Sequence, residues 1–192
     1  MSLSRRELLA SALALGFAPR AFAEEPFAVD LLAPTKLDYK FKRRETEYDA
    51  SVPPGTIVVE YTKRLLFNVH SPGLATRYGV AVGKGAKAWK GEVNIAKMTE
   101  WPRWFPAPYH LSIKPDLKKW LPDGMPGGTD NPMGARAMYL YKGKVDTINR
   151  IHGAAKFDDI GKKNTAGCIG MLDGDIIHLF ANVQVGTKVV MV

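Results

Sequence analysis

The sequence predicts a mainly β protein, an antiparallel sandwich or barrel-like domain with one short helix near its C-terminal end. Three observations carry that expectation. Short β-branched and aromatic runs recur from Thr56 onward, separated by Gly, Pro and Ser. The one segment with helical spacing behind a capping residue falls late, at residues 173–180. A chain of 192 residues, 46% hydrophobic and 24% charged, is long enough for one core, which excludes a disordered or collagen-like chain.

In chain order, residues 1–23 read as an export signal. Arg5 and Arg6 precede an apolar run of about 11 residues, too short for the roughly 20 that span a membrane, and Ala21-Phe22-Ala23 offers a small-x-small cleavage site. The adjacent arginines resemble the twin-arginine signal, so the expected mature protein starts after Ala23, is periplasmic and has no permanent membrane span.

Residues 24–54 contain four prolines and a charged stretch, and read as an extended or irregular lead-in. Strands are then expected over 57–61, 65–69, 77–82, 92–98, 137–141 and 188–192, within a domain covering 55–192. Trp101, Trp104, Phe105 and Tyr109 lie among three prolines, which rules out a central strand and predicts a rigid aromatic loop. Such a loop either covers one end of the core or walls a binding cleft. In the late helix Asp173 is placed to cap the N-terminus, Asp175 suits the positive end of the dipole, and Ile176, Ile177 and Phe180 recur at helical spacing.

The net charge is +8, from 27 Lys and Arg against 19 Asp and Glu; removal of residues 1–23 leaves +6. That balance favours an anionic partner, and export together with the lack of a recognised module excludes nucleic acid in favour of an envelope polymer.

The lone cysteine, Cys168, has nothing to pair with in an exported chain. A buried structural cysteine is the ordinary reading of such a residue. Against it, His152-Gly153 lies 16 residues upstream and supplies the base that a thiol needs as a nucleophile. Such pairing predicts alkylation faster than that of a model thiol near neutral pH. Collecting Cys168, His152, His178 and His110 around a metal finds no supporting ligand spacing, so neither a metal nor an organic cofactor is expected. His178 falls beside the apolar positions of the helix and reads as half-exposed, and His110 as a local hydrogen bonder.

Arg150-Ile151-His152-Gly153, then Ile160-Gly161-Lys162 and Thr165-Ala166-Gly167-Cys168-Ile169-Gly170-Met171-Leu172, resemble the signature of the L,D-transpeptidase catalytic domain family (YkuD-like). Asn131-Pro132-Met133-Gly134 resembles the same family's strand entry, and the likeness runs from about Thr56 to Val192. The resemblance implies a periplasmic cysteine acyltransferase that acts on peptidoglycan stem peptides. By carry-over Cys168 is the nucleophile, His152 its base, and the Gly153 carbonyl the group that orients the imidazole. The backbone N–H groups of Gly167 and Cys168 form the oxyanion hole. Arg150, Thr165, Ala166, Trp101, Trp104, Tyr109 and Arg136 are the implied substrate-binding residues.

Two positions depart from the family pattern: Ala166 stands where a histidine is usual, and Gly170 where an arginine or asparagine is usual. The resemblance leaves three outcomes open: transfer to an amine of a second stem or of an envelope protein, hydrolysis as an L,D-carboxypeptidase, or a catalytically silent wall-binding module.

Overall fold

A computed structural model describes residues 24–49, 51–84 and 90–192. The expected signal over 1–23 and its cleavage after Ala23 lie outside the described residues. The strands are β1 (Arg44–Tyr48), β2 (Ile57–Glu60), β3 (Leu65–Ser71), β4 (Gly73–Gly79), β5 (Val82–Gly83), β6 (Gly91–Glu100), β7 (Arg136–Lys142), β8 (Val145–His152), β9 (Lys163–Thr165), β10 (Ile169–Gly170) and β11 (Lys188–Met191). Helix α1 spans Pro108–Ile113 and α2 spans Asp173–Ala181.

Nine strands form one sheet in the order β1-β4-β3-β2-β11-β6-β7-β8-β10, and β5 pairs with β9 separately. The mainly β expectation agrees with this, but the sheet is mixed rather than antiparallel. β11 runs parallel to β2, β10 to β8, and β5 to β9. Parallel partners are joined by long crossovers, so no local turn in the sequence announces them. Beyond the ladder, Ala81 and Gly170 exchange both backbone hydrogen bonds, at 2.8 and 2.9 Å. That bridge ties β10 back to the chain just after β4 and brings the sheet round on itself.

Why these runs form these strands is clearest in β2. Ile57 and Val59 enter the main core, while Val58 points the other way and joins Phe67, Val69 and Ala75 in a smaller cluster. A strand covered on both faces reads as a continuous apolar run rather than an alternating one. The main core gathers Leu66, Tyr78, Ile95, Met138, Leu140, Ile151, Ile169, Ile176 and Leu179 as well, so that strands on both sides of β11 and helix α2 share it. Fully burying each such aliphatic side chain contributes about 1.5–3 kcal/mol.

The segment expected to be an irregular lead-in instead contributes β1, paired antiparallel with β4, and short 3-10 turns at Ala33–Lys36 and Tyr39–Phe41. Ala33, Leu37 and Phe41 pack with Ile160 and Leu172. The sequence of β1, Arg-Glu-Thr-Glu-Tyr, keeps a period of two in its burial with no apolar face, which hides it from a hydrophobicity pattern. The expected strand over 77–82 is divided between the end of β4, the Ala81 bridge and β5. No helix among the described residues is long and apolar enough to cross a membrane.

Candidate active site

β8 and β10 put the thiol and the imidazole on one face of the sheet. Ile169 stands opposite Ile151, and Gly170 opposite His152. Ile151 and Ile169 point into the core, so the alternation of a strand turns their neighbours away from it. Arg150 and His152 on β8 and Gly170 on β10 therefore share the opposite face, and Cys168 stands immediately before β10, beside the Arg150 backbone N–H. Both Cys168 and His152 are half-buried.

The imidazole is held from its far side. His152 Nδ1 lies 2.8 Å from the Gly153 carbonyl oxygen. A carbonyl only accepts, so in the neutral ring Nδ1 carries the proton and Nε2 keeps its lone pair. Gly153 is fixed in turn, its N–H shared between the carbonyls of Met133 and Arg136 at 3.0 and 3.1 Å. Burial pushes the His152 pKa down, opposed by the Gly153 carbonyl and by the nearby charge of Asp173. Burial likewise pushes the Cys168 thiol up, opposed by the Arg150 backbone N–H and the Arg150 charge. Among the described residues no hydrogen bond joins Cys168 to His152. Such pairs commonly tighten only when substrate is bound.

The loop that carries Cys168 is shaped by its own side chains. Gly167 has φ 138°, a region that favours glycine. Thr165 Oγ1 donates to the Cys168 carbonyl at 2.5 Å and accepts from the Gly167 N–H at 3.3 Å. Of the two expected oxyanion donors, the Cys168 N–H makes no hydrogen bond among the described residues, whereas that of Gly167 is engaged by Thr165. The Thr165 hydroxyl, expected at the substrate, instead braces the loop, while Ala166 is exposed at its tip. A Cβ on Gly170 would meet Ala155 and Ala81 at an ordinary 3.5 Å, so the backbone does not dictate glycine there.

Two further expectations are corrected. Ala137 stands opposite His152, so Arg136 points to the other face of β7. There its guanidinium pairs with Glu25, with one contact at 3.0 Å, lies over the Phe180 ring, and lines a cavity of about 840 Å³ beside α2. Trp101 also turns to the lead-in, its Nε1 donating to Glu25 Oε2 at 2.7 Å and its ring packing edge-on against Phe27. Neither residue faces the thiol.

The rest of the aromatic segment leaves the sheet where β6 ends and β7 begins, the same end at which β8 delivers His152. Trp104 and Met125 exchange backbone hydrogen bonds, and the Asn131 side chain donates to the carbonyls of Pro102, Met125 and Pro126. His110 Nδ1 accepts from the Ala107 N–H, a local bond as expected, and its ring packs against both Trp104 and Tyr109. His178 is also as expected, half-exposed, with Nδ1 2.8 Å from the Tyr78 hydroxyl. No group of three or more His, Cys, Asp or Glu among the described residues could hold a metal ion.

Sequence reasoning misplaced Asp173. The N-cap of α2 is Leu172, with no side-chain cap, and Asp173 Oδ1 instead accepts from the N–H groups of Ala135 and Ala154 at 2.8 and 3.1 Å. Gly83 was missed altogether: it packs directly on the Gly167 backbone. The glycine in each case was the available signal, since a residue with no Cβ often marks a close approach.

The profile of the L,D-transpeptidase catalytic domain (YkuD) matches residues 54–191. Two Escherichia coli proteins named as probable L,D-transpeptidases are similar: ErfK/SrfK is 28% identical over 141 residues and YbiS 34% over 148, each alignment covering 72% of this chain and 44% of the relative. The chain thus spans less than half the length of these curated relatives. A crystal structure from Brucella melitensis, described as a probable carnitine operon oxidoreductase, is 39% identical with a TM-score of 0.54, covering 81% of this chain and 96% of that one. An L,D-transpeptidase of Enterococcus faecium shares the fold at 16% identity and a TM-score of 0.51, covering 71% of this chain and 49% of that one.

Proposed function

The chain belongs to the L,D-transpeptidase catalytic domain family, and from that premise we propose that it is an exported peptidoglycan L,D-transpeptidase with Cys168 as nucleophile and His152 as base. The observation that carries this reading is the Nδ1 contact of His152 with the Gly153 carbonyl, on the same sheet face as the only thiol.

His152 Nε2 takes the thiol proton as Sγ attacks the carbonyl that joins the stem diamino acid to its terminal D-alanine. The tetrahedral oxygen is received by the Cys168 N–H, joined by that of Gly167 once it leaves Thr165. Collapse breaks the C–N bond, the imidazolium gives its proton to the departing D-alanine amine, and a thioester remains. An acceptor amine then attacks the thioester, loses a proton to Nε2, and restores the thiol as the new amide forms. A free stem, or an envelope protein, supplies that amine; water in its place makes the enzyme a carboxypeptidase.

Arg150, whose backbone N–H and charge act on the thiol while its guanidinium pairs with Asp146 at 2.7 and 2.8 Å, and Ala166, two residues before Cys168, are assigned to the substrate, with Trp104 and Tyr109 as one wall of the cleft. Acyl transfer needs one thiol and one base, both present, whereas a single cysteine provides no dithiol for cysteine-based redox chemistry.

The test is incubation of the purified protein with tetrapeptide muropeptides and mass analysis of the products. New 3-3 dimers, absent with Cys168→Ala, are expected. Loss of D-alanine alone would establish hydrolysis, and an unchanged profile would leave a wall-binding module. Full product formation by Cys168→Ala would refute the nucleophile.

A further inference from the structure

We propose that Asp173 is a positioning residue for His152: its carboxylate clamps the Gly153–Ala154 turn, so that the Gly153 carbonyl holds the imidazole as the Nδ1–H tautomer. The inference rests on the reading of Cys168 and His152 as nucleophile and base.

Four observations converge on the clamp. Asp173 Oδ1 accepts from the N–H of Ala135, just before β7, and from that of Ala154, just after β8, and so ties together the ends of two strands. Ala154 has φ 59°, a conformation that alanine disfavours and that needs an external hold. A Cβ on either Gly134 or Gly153 would collide with Asp173 Oδ1, so both turns are open to admit that oxygen. The carboxylate has no part in capping α2, whose N-cap is Leu172.

The consequence falls on the ring. With Gly153 held by Met133, Arg136 and the Asp173 clamp, its carbonyl stays 2.8 Å from Nδ1. The Nδ1 proton then remains in place throughout the reaction while Nε2 exchanges a proton with the thiol. Among the described residues Asp173 is also the one charged group whose field raises the proton affinity of His152, opposing burial. Its field favours the transient imidazolium and its clamp acts through Gly153, neither by touching the ring.

The experiment records the imidazole 15N shifts of His152 in the full-length protein, alongside the kinetics of muropeptide dimer formation, for wild type, Asp173→Asn and Asp173→Ala. Wild type is expected to show the Nδ1–H neutral tautomer. Asp173→Asn keeps an acceptor oxygen but loses the charge, so the tautomer should persist while the ring pKa falls. Asp173→Ala should mix the tautomers and lower kcat by about 10- to 100-fold with little change in KM. A folded Asp173→Ala protein with the wild-type tautomer and kcat overturns the proposal. Should that variant fail to fold, mixed tautomers in a folded Asp173→Asn, which keeps the acceptor oxygen, overturn it. A wild-type protein with the clamped tautomer but no acyl transfer overturns the functional reading and leaves the clamp standing, so the two failures are distinct.

Discussion

Gly83 and Gly167 meet backbone to backbone: a Cβ built on Gly83 would lie 2.7 Å from the Gly167 Cα and 3.0 Å from its nitrogen. The atoms in the way belong to main chain, which cannot rotate aside. Gly83 lies on β5, whose pairing with β9 ends opposite Thr165, so the same strand supports both the brace and the glycine of the nucleophile loop.

Gly83→Ala should therefore damage catalysis more than stability. To restore ordinary contact at 3.4 Å from 2.7 Å the loop must shift by about 0.7 Å at a cost of about 1–3 kcal/mol, and such a shift moves Sγ and the Cys168 N–H together. Turnover is expected to drop at least about tenfold, with urea unfolding showing only the modest loss. Wild-type turnover in Gly83→Ala would show that the contact is tolerated.

On the proposed mechanism Cys168 starts as a thiol beside a neutral imidazole. Burial lifts the thiol pKa beyond what Arg150 offsets, and burial also keeps the His152 ring neutral. Alkylation by iodoacetamide at pH 7 should be slower than for a model thiol and should rise steadily with pH past the usual thiol range near ~8.5. This reverses the sequence-based expectation of a fast thiol. A rapid rate that is flat below pH 7 would instead reveal a resting thiolate–imidazolium pair.

Asp175 weakens the fold at neutral pH. It is buried in α2 with Oδ2 unpartnered and Oδ1 3.2 Å from Arg43. Burial raises its pKa to about 6, opposed by Arg43. The folded chain thus holds this proton when the unfolded chain has released it, and stability falls as pH rises from about 4 to 6. Asp175→Asn should raise stability at pH 7 by about 1–2 kcal/mol, and the gain should vanish near pH 4. Thermal unfolding at the two pH values checks this; a gain equal at both would assign the effect to something other than ionisation.

Glu25 neutralises a buried cation. The Arg136 side chain is 8% exposed, and Glu25 is its principal acid. Glu25→Ala leaves that charge only the exposed Glu100 carboxylate at 3.8 Å and should cost about 2–4 kcal/mol, read as a lower urea midpoint. Because Arg136 faces away from His152, the Cys168 alkylation rate should stay at the wild-type value. A changed rate in a folded variant would return Arg136 to the site.

The sequence made α2 and the strands from β2 onward legible wherever an apolar side chain alternated or ran on. It concealed β8, because Arg150 and His152 belong to its solvent face and Ile151 is its lone core residue there. It concealed β10 because two residues, one of them glycine, carry no pattern. Cys168, His152 and Gly153 were identifiable by spacing and resemblance, whereas Arg136 and Trp101 went to the wrong face: strand register, which decides facing, depends on partners far along the chain. Asp173 shows the same limit, since an aspartate before a helix reads as a cap until tertiary donors claim it.

β11 splices together two runs of strands, each nearly continuous in sequence, β1 to β4 on one side and β6 to β10 on the other. Besides that splice, the chain after β4 meets the second run through backbone at β5–β9, at Ala81–Gly170 and where the Gly161 N–H donates to the Val80 carbonyl at 3.0 Å. The second junction lies two residues from Cys168, so the loop that carries the thiol doubles as a zip-fastener between the halves. If the zip opens, Cys168 is displaced while the main core, held by β11, remains closed. On the proposed mechanism, loss of activity should then precede loss of fold, with exchange of the Ala81 and Gly170 amides expected to accompany the earlier event.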